Sequence, residues 1–237
     1  MLLSKQGDVF YWKEGDLHTH LGFVKEDVIK KSVNQVVTTN KGVELFVLKP
    51  GFADLLLKVK RGPAIILPKD VGFITASTGI GKQSLVVDAG TGTGFLAALL
   101  SRVAGKVVSY EVRKDFHELA RKNLNFLGVD NVELKLGDVY KQIEERNVDL
   151  ITLDLKEPWR ALPQAVKALK PGAFIACYTP QITQALQVKQ ALPENLLWLK
   201  TVELLEREWV IDGKVLRPRI IGRLHTGFIT LLRKVFE

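Results

Sequence analysis

Cysteine is almost absent from this chain. The single Cys177 excludes an intramolecular disulfide framework and fits a reducing compartment, so a cytoplasmic setting is expected. It stands in Ala173-Phe-Ile-Ala-Cys-Tyr178, a run that reads as a buried strand, and an inert core thiol is expected there. The four histidines have no paired spacing, which points away from a zinc site, and no metal is expected. No apolar run approaches the length of a membrane span, and the N-terminus lacks the basic-then-apolar layout of a signal peptide. Acidic residues are outnumbered, 26 against 34 Lys and Arg, for a formal net charge of +8. Such a surplus favours a polyanionic partner. It is also uneven: Lys214, Arg217, Arg219, Arg223, Arg233 and Lys234 face only Asp212 and Glu237 over residues 209–237. That tail is a candidate phosphate-contacting surface, unless its arginines serve ion pairs within or between subunits.

What is present is ordinary for a globular protein: 237 residues, 46% hydrophobic and 25% charged, enough for a full core. Residues 1–62 differ from the rest. Short runs such as Val9-Phe-Tyr-Trp12, Leu21-Gly-Phe-Val24, Val36-Val-Thr-Thr39, Leu45-Phe-Val-Leu48 and Leu55-Leu-Leu-Lys-Val59 are broken by Asn40-Lys-Gly42 and Lys49-Pro-Gly51. They predict a small all-β domain, or an extension of the main one. Arg61-Gly-Pro63 marks the boundary, and residues 63–237 form the second domain. There a helix begins near Asp70. Strands at 85–88, 106–111, 132–136, 148–153 and 173–178 alternate with helices from about 94, at 114–126, 158–169 and 180–191. That alternation predicts an α/β fold with a parallel sheet covered on both faces. Leu196–Val210 and Phe228–Leu232 read as two long strands, a hairpin-like pair at the end of the sheet.

The chain is organised around Leu85-Val-Val-Asp-Ala-Gly-Thr-Gly-Thr-Gly-Phe95. A β-branched run ends at Asp88, and the turn Gly90-Thr91-Gly92-Thr93-Gly94 leads into an apolar helical pattern. Glycines there take φ > 0 and let a ligand approach the backbone. The spacing is G-x-G-x-G, not the G-x-G-x-x-G that faces a pyrophosphate. A ligand with an adenosine and no phosphates fits better, and S-adenosylmethionine is the common one. Val107-Val-Ser-Tyr-Glu111 then ends a second strand in a carboxylate suited to both ribose hydroxyls.

In an open α/β sheet, ligands sit at the carboxyl ends of the strands. Asp88, Glu111, Asp138 and Asp154 all fall at such ends. Asp138 is expected at the adenine amino group with Val139 packed on its ring, although a lone loop acid is also an ordinary turn residue. Asp154 heads Asp154-Leu-Lys-Glu-Pro-Trp159, at the mouth where a methyl acceptor would lie. Its carboxylate can accept a hydrogen bond from an exocyclic amine, and Trp159 offers either an aromatic wall for a flipped base or a helix-start core residue.

Those residues carry a resemblance to the tRNA (adenine-N1)-methyltransferase family, from about Ile65 to Leu232. Ile66-Leu-Pro-Lys-Asp70, Asp88-Ala-Gly-Thr-Gly-Thr-Gly94, Ser109-Tyr-Glu-Val-Arg113, Asp154-Leu-Lys-Glu-Pro-Trp159, Arg217-Pro218 and His225-Thr-Gly-Phe228 carry it. The resemblance implies a class I methyltransferase domain with a mostly parallel seven-stranded sheet, S-adenosylmethionine as donor and a homotetramer. It further implies methylation of N1 of adenine 58, and in archaeal members 57, in the T-arm of tRNA, with Asp154 on the target base. Arg217, Arg219, His225 and Trp159 are the expected tRNA-side residues. Leu67 stands where the family often has tyrosine, and Phe116 where arginine is frequent. Two other readings remain. One is a class I methyltransferase acting on a small molecule or a protein carboxylate; the other is a non-catalytic tRNA-binding subunit, which would be expected to lack Gly90, Gly92, Glu111 and Asp154.

Overall fold

A computed structural model describes residues 1–60, 66–219 and 225–236. The chain divides into two compact units, Met1–Lys58 and Val59–Glu237. The boundary expected at Arg61-Gly-Pro63 lies outside the described residues, as does Arg223 of the basic tail.

The first unit is β-rich. Strands β1 (Leu2–Ser4), β2 (Val9–Phe10), β5 (Val36–Thr38) and β6 (Glu44–Val47) form an antiparallel sheet in the order β2-β1-β6-β5, and β3 (Leu17–Thr19) pairs with β4 (Gly22–Val24). Leu2, Leu45, Val47, Val37, Val24 and Ile29 make its core. Two helices depart from the all-β expectation. In α1 (Glu26–Lys31), acids open the first turn and lysines close the last, matching the helix dipole. The run read as a strand at 55–59 instead overlaps the end of α2 (Phe52–Leu56) and the turn after it, and the start of α2 is fixed by the Gly51 amide donating to Asp54 Oδ2 at 2.8 Å.

The second unit opens with α3 (Pro68–Thr78). Proline at its first position and Gly79 at φ +64° after its last are the ordinary start and stop of a helix. Then follow β7 (Leu85–Ala89), α4 (Phe95–Ser101), β8 (Lys106–Glu111), α5 (Lys114–Phe126), β9 (Val132–Leu136) and β10 (Val148–Leu153). A 3-10 turn at Pro158–Ala161 leads into α6 (Leu162–Ala168). After it come β11 (Leu169–Thr179), α7 (Ile182–Gln190), β12 (Leu196–Glu203), β13 (Trp209–Asp212), β14 (Val215–Pro218) and β15 (Phe228–Lys234).

Seven strands form one sheet in the order β12-β15-β11-β10-β7-β8-β9. β11 through β9 run parallel, and β15 is antiparallel to both its neighbours. Val87, Ile151, Ile175 and Leu162 pack on one face; Val86, Leu150, Ile74 and Leu100 pack on the other. Strands buried on both faces are largely apolar, which is why 85–89 and 148–153 read as near-continuous runs, interrupted only at Asp88, Asp149 and Thr152.

One expected strand is not continuous. β12 ends at Glu203, and residues 209–218 form their own two-stranded ribbon. The turn after Asp212 carries Gly213 at φ +54°, a tight-hairpin signal three residues past the expected strand end at Val210, so Trp209 and Val210 open a separate ribbon.

Candidate active site

The sheet's strand order reverses between β7 and β10, because β8 and β9 lie on one side of β7 and β10 on the other. The turn after β7 and the loop after β10 therefore flank one crevice, the usual ligand position in such sheets. Gly90 holds φ +95°, and a Cβ there would stand 2.2 Å from the Asp154 carbonyl oxygen. The two loops meet because Gly90 has no side chain. Gly92 differs: at φ +54° its Cβ would meet only the Gly90 carbonyl, at 3.8 Å. Gly94, at φ +80°, brings the start of α4 against Ala120.

Beneath the turn lies a hydrogen-bonded chain. Thr91 Oγ1 lies 2.6 Å from Ser109 Oγ, which donates to Asp88 Oδ2 at 2.7 Å, and Thr152 Oγ1 donates to Asp88 Oδ1 at 2.7 Å. Asp88 is 0% exposed. Burial pushes its carboxyl up, against the two hydroxyl bonds that stabilise the anion. Asp88 thus braces the turn from behind and does not face open space. From α5, Asn123 Nδ2 donates to the Thr93 carbonyl at 2.8 Å and fixes the turn's other end. Thr93 Oγ1 is buried with no hydrogen-bond partner among the described residues.

Glu111 closes β8. Its Oε2 accepts from the Gly92 amide at 2.9 Å, and its Oε1 accepts from Val112 and Arg113 at 3.0 and 2.9 Å. Three backbone donors hold the carboxylate in one pose, leaving about one of its roughly four acceptor sites for an incoming hydroxyl. Glu111→Gln should weaken binding of an adenosyl ligand about 10- to 150-fold, the range for one charge-assisted bond of about 1.5–3 kcal/mol. Titration calorimetry on the folded variant reads this. Unchanged affinity would remove Glu111 from the ligand site.

Asp138 behaves partly as a turn residue, its Oδ1 accepting from the Tyr140 amide at 3.0 Å. Val139 departs from expectation more clearly. Its side chain is 4% exposed and packs in the core with Tyr110 and Ile143, so only its backbone can meet an adenine ring.

Asp154 extends the β7–β10 pairing, its amide donating to the Ala89 carbonyl at 3.0 Å. Its carboxylate has no hydrogen bond among the described residues. Burial, then the nearby Asp88 carboxylate, push its pKa up to about 7. Trp159 lies partly buried against the core cluster that contains Leu162, which favours the core reading of that residue over an aromatic wall.

The basic tail resolves unequally. Arg219 is paired with Glu208 at 2.7 Å, whereas among the described residues Arg217 reaches only the neighbouring Pro218 carbonyl at 3.4 Å. Lys234 is no surface residue: it is buried, and its ammonium donates to the Val166 and Leu169 carbonyls at 3.0 and 2.8 Å. His225 points its two ring nitrogens at Glu203 Oε1 and the Pro180 carbonyl. Those acceptors hold its pKa up, as a doubly donating imidazolium requires. Sequence reasoning assigned no role to Ser109, Thr152, Asn123 or Tyr178. Strand alternation could have found Ser109, two residues before Glu111, and Tyr178 beside Asp154.

The family model described as "tRNA methyltransferase complex GCD14 subunit" matches residues 45–230. The chain is 36% identical to the tRNA (adenine(57)-N(1)/adenine(58)-N(1))-methyltransferase TrmI of Methanocaldococcus jannaschii, covering 98% of this chain and 94% of that one. It is 35% identical to the tRNA (adenine(58)-N(1))-methyltransferase TrmI of Thermus thermophilus, over 99% and 92%. Among solved structures, the tRNA (m1A58) methyltransferase TrmI of Aquifex aeolicus superposes with TM-score 0.79 at 27% identity, covering 94% and 90%. A Thermotoga maritima protein described as a SAM-dependent O-methyltransferase gives TM-score 0.87 at 30% identity, over 100% and 92%. A glycine turn that only glycine can seat against the Asp154 loop, a carboxylate set at the next strand end, and relatives matched along nearly their whole length place this chain in the tRNA (adenine-N1)-methyltransferase family.

Proposed function

We propose that this protein transfers the methyl group of S-adenosylmethionine to N1 of adenine 58, and also 57, in the T-arm of tRNA. The observation that carries the reading is Asp154, an acid without a hydrogen-bond partner among the described residues, held against the glycine turn at the reversal of strand order. The residues fit the donor. Gly92 leaves room for a ribose, Glu111 is fixed to accept from it, and the buried Thr93 hydroxyl lacks, among the described residues, a partner that a polar ligand would supply. When bound, the donor offers an electrophilic methyl on a sulfonium.

Adenine N1 carries an in-plane lone pair and needs no base before attack. As the carbon–nitrogen bond forms and the carbon–sulfur bond breaks, positive charge moves onto the purine. Asp154 accepts from the N6 amino group and opposes that charge more strongly as it grows, which is differential stabilisation. Asp138 keeps Oδ2 out of the turn, facing only the exposed Lys141 ammonium at 4.0 Å among the described residues, and that oxygen can accept from the donor's adenine amino group.

The family's homotetramer gains support from Trp209, Ile211 and Leu216, large apolar side chains exposed on the β13–β14 ribbon. A tRNA substrate and a lone buried thiol favour the cytoplasm. Incubation with labelled donor and tRNA transcripts, followed by nucleoside analysis, tests the reading. 1-Methyladenosine that disappears with substitution of A58 and A57 supports it. Label transferred only to small-molecule hydroxyls would favour the O-methyltransferase described for the Thermotoga maritima protein.

Arg217 and Arg219 separate in tRNA binding. Arg217→Ala should lower the log–log salt slope by about 0.7–0.9, the value for one phosphate contact, and Arg219→Ala by less, because Glu208 already neutralises it. Equal slopes in wild type and Arg217→Ala would take the ribbon out of the tRNA interface.

A further inference from the structure

Lys69 occupies the second position of α3 and is largely buried. Its ammonium has three donors and three partners: Asp70 Oδ1 at 2.7 Å, the Leu204 carbonyl at 2.8 Å and Thr226 Oγ1 at 2.8 Å. Leu204 and Thr226 are the two roots of the excursion that leaves the sheet after β12 and returns at β15. Thr226 does a second thing: its carbonyl accepts the Tyr178 hydroxyl at 2.8 Å. Gly227 lies so close to that ring that a Cβ would stand 2.5 Å from Tyr178 Cζ. His225 completes the grip by donating to the Pro180 carbonyl. Three consecutive residues therefore seize the end of β11.

Tyr178 is beside the acceptor cleft. Leu153 pairs with Cys177 across β10 and β11, so Asp154 and Tyr178 are the next residues on adjacent parallel strands. Thr152, Ala176 and Asp88 share the face that α3 covers, and alternation returns Asp154 and Tyr178 to it. Resting on the methyl-transfer reading above, the geometry points to Lys69 as a positioning residue. By gathering Leu204 and Thr226 it sets the carbonyl that holds the Tyr178 hydroxyl, and so fixes the Tyr178 ring as a wall of the acceptor cleft.

The chemistry gives that wall a purpose. In-line attack tolerates little lateral error in the acceptor base, and a ring pinned at its hydroxyl limits that error better than one free to swing. Burial, with the Asp70 and Asp154 carboxylates adding to it, pushes the phenol up to about 12, so the hydroxyl stays a donor throughout the working range.

Lys69→Met would leave Asp70 without its cation, and Asp70 Oδ2 is already buried and unpartnered among the described residues. Thr226→Val is therefore the second variant, since it removes the Lys69 acceptor and keeps the carbonyl. Single-turnover transfer rates are measured for each in the wild-type and Tyr178→Phe backgrounds. Each variant should slow transfer about fivefold to tenfold when Tyr178 is present and less than about twofold when it is not, with donor affinity unchanged. Fully additive losses would overturn the assignment. If the wild-type protein methylates no tRNA, the functional reading fails separately. The positioning is then read from the ring resonance of ¹³C-labelled Tyr178, identified by Tyr178→Phe: Thr226→Val should displace it, and an unmoved resonance overturns the inference.

Discussion

Asp154→Asn should lower the single-turnover methyl-transfer rate about 10²–10³-fold, the loss expected for one preorganised electrostatic partner, and should change donor affinity far less. Asparagine keeps the size and one acceptor atom but not the charge that opposes the growing positive purine. A near wild-type rate would make the carboxylate structural. The pH dependence follows from the same group. The Asp154 pKa is raised to about 7, so in the free enzyme the carboxylate is half ionised at neutrality. kcat/KM should fall as pH drops below about 7, and Asp154→Asn should lack that limb. Stability moves oppositely. A raised folded-state pKa favours the native state below the unfolded value of 3.8, and this is lost as pH rises through about 7. Asp154→Asn should therefore gain thermal stability over wild type at pH 8 and little at pH 4. An equal change at both would place the carboxylate in solvent.

The second large effect is expected at Gly90. Gly90→Ala places a Cβ 2.2 Å from a backbone oxygen at φ +95°. No flexible side chain can yield, so either the turn or the Asp154 loop must move. Strain and overpacking together cost about 2–5 kcal/mol, and each kcal/mol is worth about 2–4 °C in a chain of this size. Tm should fall by about 4–20 °C, with donor binding and transfer both lost. Gly92→Ala is the control. Its Cβ meets only the Gly90 carbonyl at 3.8 Å and the φ of +54° costs an L residue about 1 kcal/mol, so Tm should fall by a few degrees at most, while donor affinity drops because the methyl occupies the ribose approach. Equal Tm losses in the two variants would mean that the loops do not meet as described.

Much of the fold and part of the site are legible in the sequence. β8 and β10 fall where the β-branched runs put them, because strands buried on both faces leave little choice of residue; the edge strand β9 is legible from its alternation of apolar and charged residues, and α5 from its amphipathic run. Glu111 and Asp154 are legible as strand-end acids. Val139 is not, because alternation cannot be extended around a turn, and the residue after Asp138 turns inward to the core. Lys234 reads as surface because composition counts its charge, whereas its stem runs inward to the carbonyls at the end of α6. β12 reads too long because nothing in an apolar run reveals that Lys69, 135 positions earlier, takes the Leu204 carbonyl out of the sheet. Long-range partners of this kind are the part of a site that local pattern does not carry.

β15 has a consequence for biosynthesis. It is the last of the described strands, yet it lies inside the sheet between β11 and β12, and Ile229, Leu231 and Leu232 bury on both faces. Until residues 228–234 have left the ribosome, β11 has an open edge and β12 has no neighbour to join. A nascent chain stalled before that point would present an apolar strand edge, the usual template for aggregation. Chaperone capture should therefore peak on chains that have released β12 but not β15, and end abruptly once the final strand slots in.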